Sequence, residues 1–520
     1  MSALATTSRS AASRLGISTN KSRLFRGVKA CSTCKRIRGY ATEAAESHEV
    51  LKPSEYGQPV WQSHPHLIRP KETTPGVPAE EYERRRRELM ERLPDNSVVV
   101  SVSAPVKYMS GRNYKYRQAS DFWYLTGFEE PDSAVILEKT SSSRGYRMTM
   151  FSHGRDMAKE KWDGPSTSQD ALRSHFAADD ARPISVFASH LKGLLPLFDE
   201  VYIDLPSNRK FSGANNTKSL LKFLTPRSEV DPLSEIPVLS SSRRKPLAPE
   251  VARLRAIKSE SEVRIMRKAG AISGQAHAKT MRFCRPGISE HALAAHFEYI
   301  CALQGSQRPA YVPVVASGAN SLVIHYTTNN HLVREDEMVL IDAGCEYNGY
   351  ASDITRTFPA SGVFSQPQRD LYSAVLAAQK ELIPLCTEES DLSLNDLHRK
   401  SVESLRRELL QIGFDISMMS GDMNLLYPHF LSHPIGIDLH ESTNFERAGR
   451  LKAGMVVTIE PGLYVPPAVQ FPKYFHGLGV RIEDEVLVGK EHATVLSAEA
   501  PKEISDVEGA CQGLLGFQPY

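Results

Sequence analysis

The chain has 520 residues, 41% hydrophobic and 24% charged, which is ordinary globular composition with room for two or three domains. The formal net charge of +2 hides an asymmetry: residues 1–40 hold nine Lys/Arg and no Asp/Glu, while the remainder carries 54 basic and 61 acidic residues. That mildly acidic body excludes a nucleic-acid footprint, and no apolar run reaches the ~18–20 residues a membrane-spanning helix needs.

The basic segment is rich in Ser, Ala and Arg with scattered apolar residues, the composition of a mitochondrial targeting peptide over 1–40. Its Cys31 and Cys34 lack the second pair a zinc site needs. Cys284, Cys301, Cys345, Cys386 and Cys511 are scattered and odd in number, which fits free thiols in a reducing compartment.

Residues 41–80 are rich in Pro and His and read as irregular. A helix is predicted over "PAEEYERRRRELMERLP", opened by Pro78 and closed by Pro94. Strand-like runs follow in "NSVVVSVSA", "DSAVILEK" and "VYIDLP", so 41–240 reads as an α/β domain. The Ser-, Arg- and Pro-rich stretch around 241–254 reads as a linker. Ser259 and Glu262 then form a capping box, in which each side chain caps the other's backbone N–H. Helices alternate with strands from 255 to 503, and 504–520 is a carboxy-terminal tail.

The chemistry sits in that second region. In "MVLIDAGCEYNGYASDITRTF" a hairpin centred between Tyr347 and Asn348 pairs residues whose numbers sum to 695, which sets Asp342 opposite Asp353. A register shift of two keeps both on one face. Adjacent carboxylates repel unless a proton or cation lies between them. "GMVVTIEPGLY" is a strand carrying Glu460. Alternation in "GVRIEDEVLV" puts Arg481, Glu483 and Glu485 on the face opposite Val480, Ile482, Val486 and Val488. "YPHFLSHPIGIDLHE" holds His429, His433 and His440, and its Pro434 and Gly436 predict a loop.

The series Asp342, Asp353, His433, Glu460, Glu483, in the contexts "IDAG", "SDITRTF", "SHPIGIDLHE", "TIEPGLY" and "VRIEDEVLV", resembles the ligand set of the pita-bread metallopeptidases. These include aminopeptidase P, proline dipeptidase and methionine aminopeptidase. "YRQASDFWYLTGFEEPDSAVILE" and "WQSHPHLIRPKETTPGV" resemble the amino-terminal domain of the mitochondrial aminopeptidase P type. Glu441 departs from the Asp more usual after the family's His. The resemblance implies an α/β amino-terminal domain followed by an α+β pita-bread catalytic domain. It implies two divalent ions bridged by Asp353 and Glu483, with Asp342 on one ion and His433 and Glu460 on the other. Four carboxylates balance two divalent ions, and oxygen ligation with one imidazole makes Mn²⁺ the first choice.

By the same resemblance His325, His429 and His440 hold substrate and stabilise the tetrahedral intermediate, while Tyr464 and Arg481 bind substrate near the metals. The implied activity is a mitochondrial aminopeptidase of the intermediate-cleaving type, on the matrix side. It removes one Tyr, Phe or Leu from imported proteins after presequence cleavage. In family terms "RGYA" is itself such a substrate: a first cut after Gly39 exposes Tyr40, and removing Tyr40 leaves Ala41. Rival readings are an Xaa-Pro aminopeptidase, a proline dipeptidase, a creatinase-like hydrolase and a peptidase-like binding protein, though the last two have no use for five intact ligands. A homo-oligomer and inner-membrane association stay open at this point.

Overall fold

The computed structural model describes residues 52, 54–110, 112–203, 243–416, 421–442 and 444–520. The expected presequence with Cys31 and Cys34, the expected processing site at Gly39, Tyr40 and Ala41, and the start of the linker lie outside them. Val50–Tyr520 form one compact unit.

Helix α1 (Ala79–Arg92) starts after Pro78, as its sequence predicts. Strand β1 (Ser97–Val102) follows, and the short helix α2 (Ser120–Thr126) ends on Gly127 in the left-handed conformation. Strands β2 (Ala134–Lys139), β3 (Tyr146–Ser152), β4 (Asp180–Pro183), β5 (Glu200–Ile203) and β6 (Arg244–Lys245) complete a sheet in the order β6-β5-β1-β2-β3-β4. β1–β2 and β2–β3 are antiparallel, and the other pairings are parallel. Both faces are covered. Val99, Val135 and Leu137 enter a core with α1 and α2, while Val98, Val100 and Ile136 pack on Phe187 and Leu191. Burial on both sides is why β1 reads as a nearly unbroken apolar run.

Within the stretch expected as a linker, Ala248–Arg255 is helix α3, with Val251 and Leu254 buried. Pro249 marks its first turn rather than a break, since a proline there gives up no intrahelical bond. Helix α4 (Glu260–Phe283) carries the expected capping box, with both reciprocal bonds formed. It packs beside α5 (Glu290–Leu303).

The second region is built from two helix pairs and small antiparallel sheets. β7 (Val314–Ser317), β8 (Met338–Asp342) and β11 (Thr355–Pro359) form one sheet, and β9 (Cys345–Tyr347) and β10 (Tyr350–Ala351) form the hairpin tip between them. Helices α6 (Gln366–Leu382) and α7 (Leu394–Gln411) pack together. Strands β12 (Val456–Ile459) and β15 (Asp484–Leu487) pair, as do β13 (Gly462–Tyr464) and β14 (Gly479–Arg481). The two halves are stitched where the Glu483 amide donates to the Thr355 carbonyl and the Thr357 hydroxyl donates to the Arg481 carbonyl. The expected tail carries helix α8 (Ile504–Gln512), which packs on α4 through Val507 and Ala510.

The hairpin register corrects the expectation. Partners sum to 697: Asp342 faces Thr355, and Tyr347 faces Tyr350. The turn is the two-residue Asn348-Gly349, with φ of 49° and 83°. Positive φ at both positions suits the twist of a hairpin, and Gly349 adopts it without a Cβ that would meet the Trp123 ring. The shift of two leaves both aspartates on one face.

Candidate metal centre

All five expected ligands converge on one cavity of about 880 Å³. Asp342 ends β8 and Asp353 follows the hairpin; His433 comes from the loop before β12, Glu460 from the β12–β13 junction and Glu483 from the β14–β15 junction. The four carboxylates stand at strand ends or junctions and His433 in a loop, where each side chain can turn into the shared space. His433 Nε2 lies 3.2 Å from Asp353 and 3.7 Å from Glu460. Donor atoms of Asp353, His433 and Glu483 lie within 4.8 Å of one another.

The electrostatics are those of a site built for cations. Burial raises the Asp353 carboxyl, and burial with the charges of Asp353, Glu460 and Asp342 drives Glu483 well above the carboxylate range. Burial pushes Glu460 up to about 8, with Asp353 and Asp342 adding to it against the opposing pull of His433 and Arg481. Burial opposes a charge on His433, but Asp353 and Glu460 win and hold it up at about 9. With protein groups alone the cluster keeps protons in place of positive charge. The chain fits divalent ions in a further respect. Glu483 Oε2 accepts from the Thr355 hydroxyl at 2.7 Å, while its Oε1 is buried without any hydrogen-bond partner among the described residues. An orphaned carboxylate oxygen in a cluster of acids is costly unless a cation takes it. His433 Nδ1 donates to the Pro434 carbonyl at 3.2 Å, which leaves Nε2 as the ligating nitrogen.

The supporting groups are equally ordered. Arg481 gives Nη2 to Asp342 at 2.6 Å and Nη1 to the Tyr464 hydroxyl at 2.7 Å. Alternation predicts one strand that carries both Arg481 and Glu483. The strand instead breaks at Ile482–Glu483, and the hydrogen bond goes to Asp342. Arg481, Glu483 and Glu485, the face that alternation marks as polar, are all buried. Their polarity serves the cavity and not the solvent.

His429 Nδ1 donates to the Phe430 carbonyl at 3.0 Å, and burial with nearby Arg481 lowers its pKa to about 4. The ring is therefore neutral, and Nε2 accepts from the Tyr464 hydroxyl at 2.9 Å. Tyr464 sits behind the cavity, fixing His429 and Arg481. His440 stacks on His433 with centroids 4.1 Å apart, and burial and His433 lower it to about 4. His325, exposed on the loop after β7, lines the same cavity.

The roles of two residues escaped the sequence reading. The Tyr311 hydroxyl donates to Asp342 at 2.5 Å and to Asp353 at 2.6 Å, binding the two aspartates together. Its only signal is an aromatic in "RPAYVPVV", which nothing in periodicity marks. Glu485 accepts the Asp353 backbone N–H from behind. The amino-terminal half also reaches the site. Arg117 bonds Glu346, the Ile437 carbonyl and Asp438, while Arg255 bonds Asp121, Asp438 and Glu441. The loop holding His433 and His440 is thus braced from outside the catalytic region.

Four carboxylates and an imidazole on one cavity, backed by neutral histidines and a buried arginine, define a metal-dependent hydrolase. Residues 264–490 match metallopeptidase family M24, and residues 82–202 match the aminopeptidase P amino-terminal domain. Intermediate cleaving peptidase 55 of Saccharomyces cerevisiae is 38% identical over 92% of this chain and 94% of its own. Its crystal structure superposes with a TM-score of 0.75 at 37% identity, covering 85% of this chain and 99% of that one. The mitochondrial intermediate cleaving peptidase 55 of Arabidopsis thaliana is 37% identical over 87% of each chain. Xaa-Pro aminopeptidase 3 of Rattus norvegicus is 35% identical over 94% of this chain and 96% of its own. The chain belongs to the M24 metallopeptidases, in the branch that carries an aminopeptidase P amino-terminal domain, and is a metalloaminopeptidase.

Proposed function

We propose that this enzyme removes a single Tyr, Phe or Leu from the amino terminus of imported mitochondrial proteins after their presequence has been cut. The observation that carries the reading is the convergence of Asp342, Asp353, His433, Glu460 and Glu483 on one cavity, with an unpartnered oxygen on Glu483. Those five residues would hold two divalent ions, with Mn²⁺ the best match to a set of oxygens and one nitrogen. When bound, the ions polarise the scissile carbonyl and lower the pKa of water toward neutrality.

The chain's own groups do the rest. Arg481 fixes Asp342, and Tyr311 fixes Asp342 to Asp353, so the carboxylates meet the ions in one geometry. His440 is neutral and has an N–H to offer where negative charge develops on the carbonyl oxygen, whereas His429, expected in the same role, spends its N–H on the Phe430 carbonyl and its other nitrogen on Tyr464. His325 lines the same cavity and is exposed to an entering substrate. The basic, acid-free residues 1–40 support import into mitochondria, as does the name of the Arabidopsis relative.

The likeness to Xaa-Pro aminopeptidase 3 favours a second reading, in which Pro is required at the second substrate position. Incubating the mature enzyme and Mn²⁺ with Tyr-Ala-Thr-Glu and Tyr-Pro-Thr-Glu peptides separates the two. Free Tyr from the first peptide is the expected result. Release from the Pro peptide alone refutes the intermediate-cleaving reading.

A further inference from the structure

Glu290 is a fully buried carboxylate outside the metal centre. It opens α5, and its two oxygens collect five donors from one segment. Oε1 accepts the Ser317 amide and the Ser317 hydroxyl at 2.8 Å and the Asn320 side-chain amide at 2.9 Å. Oε2 accepts the Tyr326 hydroxyl and the His331 amide, each at 2.9 Å. The backbone closes the same junction, since the Glu290 amide donates to the His331 carbonyl. These partners lie at the start, middle and end of the segment from Ser317 to His331. His325 projects from it toward the cavity, while Leu322, Ile324 and Tyr326 pack on Val314, Ala316, Leu340 and Tyr464.

The segment has no regular strand or long helix of its own, so its shape depends on these ties. It also seats against the strand that bears Arg481. A Cβ on Gly479 would stand 2.5 Å from the Ser321 hydroxyl, so the glycine permits the close approach. Hydrogen bonds to a charged group are stronger than those between neutral partners, and all five serve one loop.

We propose that Glu290 is a positioning residue for the reaction: its carboxylate clamps the 317–331 loop and thereby fixes His325 against the substrate. The inference rests on the role given to His325 above. Glu290→Gln is isosteric but keeps one acceptor oxygen, so the donors on the other side meet an N–H. Tyr326→Phe removes one of the five bonds and leaves the rest.

The test combines steady-state kinetics on Mn²⁺-loaded enzyme with amide exchange. Glu290→Gln should lower kcat/KM by roughly 10–100-fold, the scale set by a misplacement of about 1 Å, with bound metal unchanged. Tyr326→Phe should move the same way by less. The Glu290→Gln/His325→Ala double variant should be no worse than His325→Ala, because both changes remove one function. Exchange of amides 318–331 should rise about tenfold or more in Glu290→Gln. Wild-type turnover in both single variants, or losses that multiply in the double variant, overturns the proposal. A fully active His325→Ala would refute the role given to His325 instead. The clamp is then decided by exchange alone, and unchanged protection of 318–331 overturns it.

Discussion

Replacing Arg356 by Met should weaken the junction between the two halves of the catalytic region. The Arg356 side chain is fully buried, and all five of its N–H donors are used. Nε bonds the Pro501 carbonyl, Nη1 the Thr355 and Glu483 carbonyls, and Nη2 Asp484 at 2.7 Å and the Ala500 carbonyl. Met fills much of the volume but leaves Asp484 with only Lys502, Gln379 and Ser497. Breaking a buried pair costs about 3–5 kcal/mol, and the remaining partners place this case near 3. The carbonyls left without donors add about 1 kcal/mol or more each, partly relieved by relaxation, for a total of about 5 kcal/mol. With an unfolding entropy of ~2.1 cal/mol/K per residue over the compact unit, Tm should fall by about 5 °C. Differential scanning calorimetry of the chelated protein reads this without metal linkage. A Tm within about 1 °C of wild type would refute the reasoning. Because Arg356 also holds the Glu483 backbone, metal affinity should fall with it.

Three further predictions rest on other groups. Tyr311→Phe removes the one donor shared by Asp342 and Asp353, and should reduce metal affinity or activity by about 10–100-fold in a metal titration. Burial, with Arg356 nearby, lowers the His277 pKa to about 4, and its Nε2 bonds the Ala343 carbonyl at 3.0 Å. The unfolded chain therefore binds the extra proton between about 4 and 6.5. This stability is complete above pH 6.5 and is lost as pH falls toward 4, by about 3 kcal/mol. Urea unfolding of His277→Gln should lack that slope relative to wild type. Finally, in cells whose only copy is Asp353→Asn, mass spectrometry should find the protein beginning at Tyr40. A terminus at Ala41 there would count against self-processing.

Much of the catalytic framework could be read because its residues sit in short, rigid contexts. The capping box of Ser259 and Glu262 is local, so it survives into the structure unchanged. The hairpin register was off by two, since turn placement depends on which two residues take positive φ. The face of Arg481, Glu483 and Glu485 read as polar and is buried, because alternation reports which side a residue takes and not what covers that side. Pro249 and the Ser-rich approach suggested a linker, yet helix α3 forms because Val251 and Leu254 pack against the amino-terminal core. Tyr311, Glu290 and Arg356 were illegible for a common reason: their partners lie tens of residues away, and only folding brings them together.

The central claim is that Asp342, Asp353, His433, Glu460 and Glu483 bind the ions that make this chain a peptidase. The direct measurement is metal content by mass spectrometry alongside Tyr release from a Tyr-Ala-Thr-Glu peptide, for wild type and Asp353→Asn, before and after chelation. Wild type should carry about two ions per chain, lose activity on chelation and regain it with Mn²⁺; Asp353→Asn should bind less metal and release almost no Tyr. Full Tyr release by chelated wild type, or by Asp353→Asn, would contradict the account.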